Sequence, residues 1–274
     1  MGKRGTIMKL TGINYGLKHV SNQFNQPLQY FIKLSEGEHL LNSIVGAKLS
    51  LAFQDNIQCI HCGRVIKKTF NNGYCYPCFK SLPENDICIV KPNLCHYDKG
   101  TCRDEQFAAT HCMKPHYVYL AVSSDIKVGM TRESNSMKRW GDQGAIQAVP
   151  IAKLPTRKLA GELELKLMEH YPDKTNWRKM LKGDVPELDL VEVRNQALAY
   201  ITDDFACHIL GDEQPVHFIY PIKQTLSKIT SYNLDKDPVI EDKLVGIKGQ
   251  YLIFEDGVIN MKKYAGYQLE LSTL

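Results

Sequence analysis

The chain has 274 residues, 43% of them hydrophobic, and a formal charge of +4 from 34 Lys and Arg against 30 Asp and Glu. This length exceeds what one hydrophobic core usually organises, so we expect two or three domains. No apolar run follows the basic start, and no window approaches the roughly 20 apolar residues of a membrane span. These features argue against a secreted or membrane protein and predict a cytoplasmic one.

Both ends of the chain show the pattern of short β-strands. Residues 1–55 contain TIMKL, LQYFIKL and AKLSLAF, and the last 50 residues contain KITSYNL, DKLVGIKG, QYLIF, GVINMKK and GYQLELS. Period-2 alternation and turn sequences such as EDG support this assignment. Because neither set closes a sheet without exposed edges, we predict one β domain, a sandwich or barrel, built from residues 1–55 and 206–274.

Eight of the nine cysteines lie between Cys59 and Cys112. In an intracellular chain this clustering favours metal ligation over disulfides. Two Cys-x2-Cys pairs have the spacing of the knuckles that hold a tetrahedral zinc ion in a zinc ribbon, and they consist of Cys59, Cys62, Cys75 and Cys78. Such a closed site stabilises the fold and leaves no position for a substrate.

A second, less regular group of cysteines follows, consisting of Cys88, Cys95, Cys102 and Cys112. It predicts a second zinc site, in which His96 or His111 can replace one thiolate. The alternative is that these cysteines are small buried hydrophobic residues without a metal. The two groups together define a predicted zinc-binding insert over residues 56–113. Its first loop carries basic and aromatic residues that suit docking of nucleic acid or protein, namely Arg64, Lys67, Lys68, Phe70 and Tyr74.

The positive charge is confined to the middle of the chain, where residues 114–183 carry 13 Lys and Arg against 7 Asp and Glu. In this region YVYLAVSSDIKVGMT, starting at Tyr117, predicts a hairpin with the turn SSD. The following RESNSMKRW predicts a loop that enters a helix. The patterns LAGELELKLMEHY and PELDLVEVRNQALAYI predict two further helices, at residues 159–171 and 186–201.

This region resembles the GIY-YIG nuclease family, over roughly residues 115–180. Tyr117-Val118-Tyr119 corresponds to the first motif of that family and Lys127-Val128-Gly129 to the second. Arg139-Trp140 corresponds to its arginine position, and Glu164 or Glu162 to its metal-binding glutamate. The resemblance implies a GIY-YIG-like domain over residues 114–205 that hydrolyses phosphodiesters with a divalent metal.

The resemblance also implies roles for individual residues. Tyr119 would orient or deprotonate the attacking water, Arg139 would stabilise developing charge, and Glu164 would hold Mg or Mn. Lys127 replaces the second tyrosine of the family, and Gln143 stands where many members have a histidine. Because a lysine with an ordinary pKa binds phosphate rather than accepting a proton, these departures predict a weak or altered activity.

An alternative role for Glu164 follows from its position on the apolar stripe of its helix. A carboxylate there needs a partner, and a structural ion pair with Arg139, Arg157 or Lys158 would supply one without any metal.

Two basic segments extend the predicted site. Arg157 and Lys158 precede a helix, where a positive turn suits an anion. A second segment interleaves basic residues with an aromatic one, as single-strand and RNA-binding surfaces do, and contains Lys174, Trp177, Arg178 and Lys179. The alternative for this segment is a solvated helix end.

The sequence therefore predicts an α+β protein of three parts that binds RNA or DNA and does not bind a membrane. The alternative function is a noncatalytic zinc-ribbon adaptor for RNA or for a protein partner. The layout as a whole also resembles a bacterial protein family without an assigned activity.

Overall fold

A computed structural model describes residues 8–20 and 25–274. The first residues of the predicted strand TIMKL lie outside this range. The chain is α+β, and its strands are β1 (Lys9–Val20), β2 (Gln29–Leu34), β3 (Gly37–Leu40), β4 (Lys48–Ile57), β5 (His116–Val122), β6 (Ile126–Arg132), β7 (Gln147–Leu154), β8 (Val216–His217), β9 (Val239–Lys248), β10 (Tyr251–Phe254), β11 (Val258–Asn260) and β12 (Tyr267–Thr273).

The helices are short. The α-helices are α1 (Tyr76–Ser81), α2 (Ile87–Val90), α3 (Glu105–Phe107), α4 (Ser136–Asp142), α5 (Arg157–Leu167), α6 (Trp177–Lys182), α7 (Leu190–Leu198) and α8 (Asp203–Ala206). Single turns of 3-10 helix occur at Asn42–Ile44, Pro83–Asn85, Pro92–Leu94, Tyr97–Lys99 and Glu133–Asn135, and a π-helical turn at Ala108–Cys112. None of the helices in the described ranges combines the length and apolar character that crossing a membrane requires.

The chain divides into two compact units by its internal contacts. Unit 1 is formed by the residues up to Phe79 together with Ile219–Leu274, and unit 2 by Lys80–Phe218. The boundary after Phe79 falls inside the segment 56–113 that the sequence suggested as one insert. The first cysteine group therefore belongs to unit 1 and the second group to unit 2.

Unit 1 contains a curled antiparallel sheet of eight strands in the order β11-β10-β9-β4-β12-β1-β2-β3. Strand β12 lies between β1 and β4, so strands from both halves of the chain alternate in one sheet. Alternate residues of β12 point into the core, where Tyr267, Leu269 and Leu271 are buried. This period-2 burial explains why the short terminal patterns were recognisable as strands.

One predicted strand of unit 1 is wrong. The segment KITSYNL, residues 228–234, forms only an isolated bridge between Ser231 and Val258. Thr230 and Tyr232 pair with Val258 through two backbone hydrogen bonds of 2.8 and 2.9 Å, and the chain turns after Asn233, whose side chain accepts a hydrogen bond from the N–H of Asp235 at 3.0 Å. An asparagine that bonds to the backbone two residues ahead stabilises a turn and competes with strand pairing.

Unit 2 is built on a sheet in the order β6-β5-β7-β8. The predicted hairpin is confirmed: β5 and β6 pair in antiparallel register from His116 opposite Arg132 to Val122 opposite Ile126. Strand β5 is buried almost throughout because it lies between β6 and β7. The predicted third helix is α7, and it packs with α5 on a core that includes Val118, Leu120, Ile151, Leu163 and Leu167.

Helix α5 begins at a conventional cap, in which the Thr156 hydroxyl accepts a hydrogen bond from the N–H of Leu159 at 3.3 Å. Its apolar stripe of Ala160, Leu163 and Leu167 is buried against the sheet. Glu164 follows Leu163 directly, and its side chain therefore lies at the edge of the hydrophobic core.

Candidate functional site

The first cysteine group of unit 1 forms a compact cluster of four thiols. One sulfur from each of Cys59, Cys62, Cys75 and Cys78 lies within 4.8 Å of the others. The Cys62 and Cys75 sulfurs are 3.8 Å apart. A tetrahedral zinc ion with bonds of about 2.3 Å requires sulfurs about 3.8 Å from one another. The cluster therefore has the donor set and spacing to bind zinc.

The local backbone explains how the cluster forms. The N–H of Gly63 donates to the carbonyl of Cys59 at 2.9 Å and closes the first knuckle. Asn71 and Asn72 have positive φ angles of 44° and 58°, and they turn the chain back toward the second pair of cysteines. Burial raises the pKa of Cys59, but hydrogen bonds from neighbouring backbone N–H groups outweigh it and lower the pKa to about 6. Such a thiol is available as a thiolate ligand.

The second cysteine group differs from the predicted set of four thiols. In unit 2 the structure brings together Asp86, Cys88 and His96, with one ligand atom of each within 4.8 Å of the others. Asp86 also forms an ion pair with Arg103 at 2.6 Å. His96 uses Nδ1 for a contact of 2.8 Å with the hydroxyl of Thr101, which leaves Nε2 facing Asp86.

The other predicted thiols of this group, Cys95, Cys102 and Cys112, lie outside that tight set. Cys102 instead donates to the carbonyl of Asp104 at 3.5 Å. Burial raises the pKa of Cys88 to about 12, and Asp86 and Cys95 add to the shift. Long and unequal spacings leave the geometry of a cysteine set open, which is why the sequence could not identify Asp86 as a neighbour.

One cavity of unit 2 is a cleft of about 620 Å³. Its lining includes all four residues predicted as the catalytic set, Tyr119, Lys127, Arg139 and Glu164. Gln143, which replaces the family's histidine, lies in the same cleft. Four side chains from β5, β6, α4 and α5 therefore meet at one place.

Sheet register accounts for two of these positions. Tyr119 pairs with Gly129 and Ala121 pairs with Lys127, so Tyr119, Gly129 and Lys127 share one face of the sheet. A methyl group at Gly129 would lie 2.6 Å from the Tyr119 hydroxyl. Glycine is therefore required at residue 129 by the close approach of the tyrosine.

Tyr119 is fully buried in this cleft. Its hydroxyl donates a hydrogen bond to Oε1 of Gln143 at 2.9 Å. Burial raises the pKa of the phenol, and the Arg139 guanidinium offsets this only in part. A neutral phenol that already donates its proton is a poor base, so Tyr119 is suited to positioning rather than to deprotonating water.

Lys127 is only 3% exposed. Burial lowers the pKa of its amine to about 8, and the Arg139 guanidinium acts in the same direction while Asp173 and Glu164 oppose it. The expectation of an ordinary lysine pKa is therefore corrected. Near neutral pH a usable fraction of this amine is uncharged and can accept a proton.

Glu164 does not form the structural ion pair offered as the alternative. Among ion pairs within 4 Å in residues 8–20 and 25–274, none involves Glu164. Burial raises the pKa of its carboxyl, although Arg139 and Arg157 oppose the shift. The carboxylate thus borders the cleft without a direct cationic partner.

The basic residues at the start of α5 bind the protein's own backbone and side chains. Arg157 donates to the carbonyl of Ile89 at 2.6 Å, and Lys158 pairs with Asp98 at 2.8 Å. Both contacts hold residues 89–98, which we call the strap, against α5. Pro92 of the strap packs so closely on Gly161 that a methyl group at residue 161 would overlap its ring.

A second cavity of about 330 Å³ shares Arg139 and Glu164 with the cleft. Arg132 and Arg157 also line it. Cationic side chains therefore lie along two cavities that meet at Glu164.

The second basic segment begins at the cleft. Lys174 lines the cleft together with Asp173, a residue that sequence reasoning missed because it has no motif of its own. Further along, the Arg178 guanidinium lies 4.2 Å from the centre of the Trp177 ring. Lys179 is exposed and lies 3.8 Å from Asp125.

A protein-family model with the description "Protein of unknown function (DUF2797)" matches residues 46–269 of the chain. The match includes the four-thiol cluster and all of unit 2. Neither a curated protein nor a solved structure matches the chain.

Proposed function

The chain belongs to the DUF2797 family, and from the geometry of the cleft we propose that it binds nucleic acid and hydrolyses phosphodiester bonds at a GIY-YIG-like site. The observation that carries this proposal is the meeting of Tyr119, Lys127, Arg139 and Glu164 in one cleft. These residues come from a hairpin and two helices, and a purely structural role would not require them to line the same opening.

A divalent cation fits this cleft at Glu164. The carboxylate has no cation within 4 Å among the described residues, and a second carboxylate, Asp173, lines the same cleft. Mg²⁺ and Mn²⁺ prefer oxygen ligands, and Mg²⁺ commonly binds through one or two carboxylates with the rest of its shell as water. When bound, such an ion would stabilise charge on the phosphate oxygens.

The remaining groups have complementary roles in the proposed reaction. The exposed guanidinium of Arg139 contacts a nonbridging phosphate oxygen and stabilises the charge that develops there. The uncharged amine of Lys127 accepts the proton of the attacking water as the new P–O bond forms and the bond to the leaving oxygen breaks. Tyr119 and Gln143 hold each other in place beside them.

Charge beyond the cleft favours a polymeric phosphodiester over a small one. Arg132 lines the adjoining cavity, and Lys174 lines the cleft itself. Contacts to several phosphates along a backbone supply most of the affinity of proteins for nucleic acids. Exposed Arg178, stacked on Trp177, extends this surface with a site for a base.

We propose zinc as the ion of the four-thiol cluster, in a zinc-ribbon-like loop that stabilises unit 1. A second candidate function uses this loop as a noncatalytic adaptor for RNA or a protein. It is favoured by the exposure of Val65 and Tyr76 near the cluster, and by the Lys68 amine lying 5.3 Å from the centre of the Phe70 ring.

The test is cleavage of end-labelled RNA and DNA in the presence of Mg²⁺ or Mn²⁺. We expect Glu164→Gln to lower the rate by about 10²–10³-fold, the usual effect of removing one electrostatic stabiliser of a transition state. Glu162→Gln is the matched control, because Glu162 lies on the same helix but does not line the cleft.

An unchanged rate in Glu164→Gln would remove the catalytic assignment, provided that circular dichroism shows both variants folded. The adaptor function, in which unit 2 only presents a basic face, predicts a different result: no cleavage with any metal, although charge reversal at Arg178 and Lys179 still weakens binding and flattens its salt dependence.

A further inference from the structure

The cleft restricts the form of nucleic acid that can reach the proposed reactive groups. Tyr119 and Lys127 lie at its inner end, where both side chains are almost completely buried. The cleft encloses about 620 Å³, within the range of pockets that hold one small ligand. The major groove of a B-form duplex alone is about 12 Å wide, so a base-paired helix cannot enter this space.

The strap lies beside the cleft and is held in place by contacts with α5. Val90, Lys91, Pro92 and Asn93 form part of the lining of the cleft. The strap is attached to α5 at three points: the Arg157 bond to Ile89, the Lys158 pair with Asp98 and the contact of Pro92 with Gly161. The strap therefore forms a wall of the cleft beside the walls that β6 and α5 contribute.

The strap and α5 also carry exposed apolar side chains into the lining of the cleft. Val90 is 78% exposed, and Leu165 and Met168 of the neighbouring helix region are exposed as well. Exposed apolar groups beside cationic ones suit a nucleobase, which presents a flat apolar face next to its phosphate. A paired base in a duplex is stacked on both faces and has no such surface to offer.

We infer that the cleft takes one unpaired nucleotide of a single-stranded nucleic acid, with its phosphate at Lys127, Arg139 and Glu164 and its base against Val90, Leu165 and Met168. This inference rests on the proposed function. The strand continues past Lys174 toward Trp177 and Arg178, where a second base can stack.

The experiment compares three labelled substrates of one sequence: a single strand, the full duplex, and the duplex with one bulged, unpaired nucleotide. Binding is measured by fluorescence anisotropy without divalent metal, and cleavage with Mg²⁺ or Mn²⁺. We expect the single strand to bind and be cleaved at least about tenfold better than the duplex. The bulged duplex should be cleaved beside its unpaired nucleotide.

Substitutions of the apolar lining test whether the base of the nucleotide contacts this wall of the cleft. Val90→Ser with Met168→Ser should weaken binding of the single strand roughly tenfold. Leu94→Ser is the matched control, because Leu94 is 47% exposed on the same strap but does not line the cleft. An equal effect of the double variant and the control would overturn the assignment of the base to this wall.

The outcomes separate this inference from the proposal on which it rests. Cleavage of the full duplex at a rate equal to or above that of the single strand would overturn the inference and leave the proposed function standing. Absence of both binding and cleavage with all three substrates would overturn both.

Discussion

The four-thiol cluster of unit 1 has the spacing of a metal site, and the Glu164 cleft of unit 2 is where we propose a divalent cation, but the two would surround an ion differently. In the cluster, four sulfurs within 4.8 Å complete a tetrahedral shell, so nothing else can bind the ion. In the cleft, the Glu164 carboxylate, which has no ion pair with any residue that the structure describes, lines a cavity of about 620 Å³. An ion that four protein ligands surround has a structural role, whereas an ion with fewer protein ligands keeps positions free for a substrate.

Loss of a structural ion should unfold part of the chain, whereas loss of a reactive ion should lower only the reaction rate. Variants at the two sites can therefore be told apart by measuring both folding and rate.

The largest effect is expected for the thiol cluster. Cys75→Ser removes a buried ligand and should release zinc and unfold residues 57–79, because metal binding and folding of such a loop are one equilibrium. Metal content, thermal denaturation and limited proteolysis measure this. Cys207→Ser is the control, since Cys207 is exposed and belongs to neither ligand group.

Less than one zinc per chain in the wild-type protein would contradict the assignment of the cluster. A second equivalent of zinc, lost in Cys88→Ser, would indicate a metal site at Asp86, Cys88 and His96, the group that the structure brings together, in place of the predicted set of four thiols.

The next largest effect concerns Lys127 and pH. Because burial lowers the pKa of Lys127 to about 8, its uncharged form increases as pH rises toward that value. Cleavage should therefore accelerate about tenfold per pH unit below pH 8 and level off above it. Lys127→Met should lose about 10²–10⁴-fold in rate together with this rise.

Lys127→Arg distinguishes a base from a simple phosphate ligand. A guanidinium remains protonated throughout this pH range, so it cannot accept the proton from water. A base therefore predicts that the arginine variant is as slow as the methionine variant. Retained activity in Lys127→Arg, or a rate that does not rise between about pH 6 and pH 8, would exclude Lys127 as the base.

The smallest effect is expected from crowding the cleft. In Gly129→Ala the added methyl group would lie 2.6 Å from the Tyr119 hydroxyl, so the tyrosine or β6 must shift. Overpacking of this kind costs about 1–3 kcal/mol of unfolding free energy. Urea denaturation and the cleavage rate are the measurements. Gly211→Ala should change neither, because its added methyl group meets no atom within 4 Å.

Local patterns accounted for much of the fold. The hairpin of β5 and β6 was readable because apolar alternation flanks the turn SSD, and α5 because its apolar residues recur with helical spacing. The segment 228–234 misled the same reasoning. Its β-branched residues suggested a strand, but the segment makes only one bridge, to Val258, and a turn held by the Asn233 side chain follows it directly.

Properties that depend on three-dimensional surroundings could not be read in the same way. The lowered pKa of Lys127 arises from burial in the folded chain, and no neighbouring residue in sequence indicates it. The strap is a second example. Arg157 and Ile89 are 68 residues apart, so their contact could not be predicted from spacing. The sequence shows the charge of Arg157 but not the carbonyl of Ile89 that it binds, so the charge alone suggested an anion-binding residue.

The position of β12 has a consequence for how the protein is made. Because Tyr267–Thr273 pairs with β1 on one side and β4 on the other, these early strands cannot complete their sheet until the ribosome has synthesised residue 273, more than 200 residues after β4. Unit 2 is continuous in sequence and can fold as soon as it emerges. During translation the strands before residue 58 must wait with unpaired edges, and this interval is when the nascent chain is most exposed to aggregation.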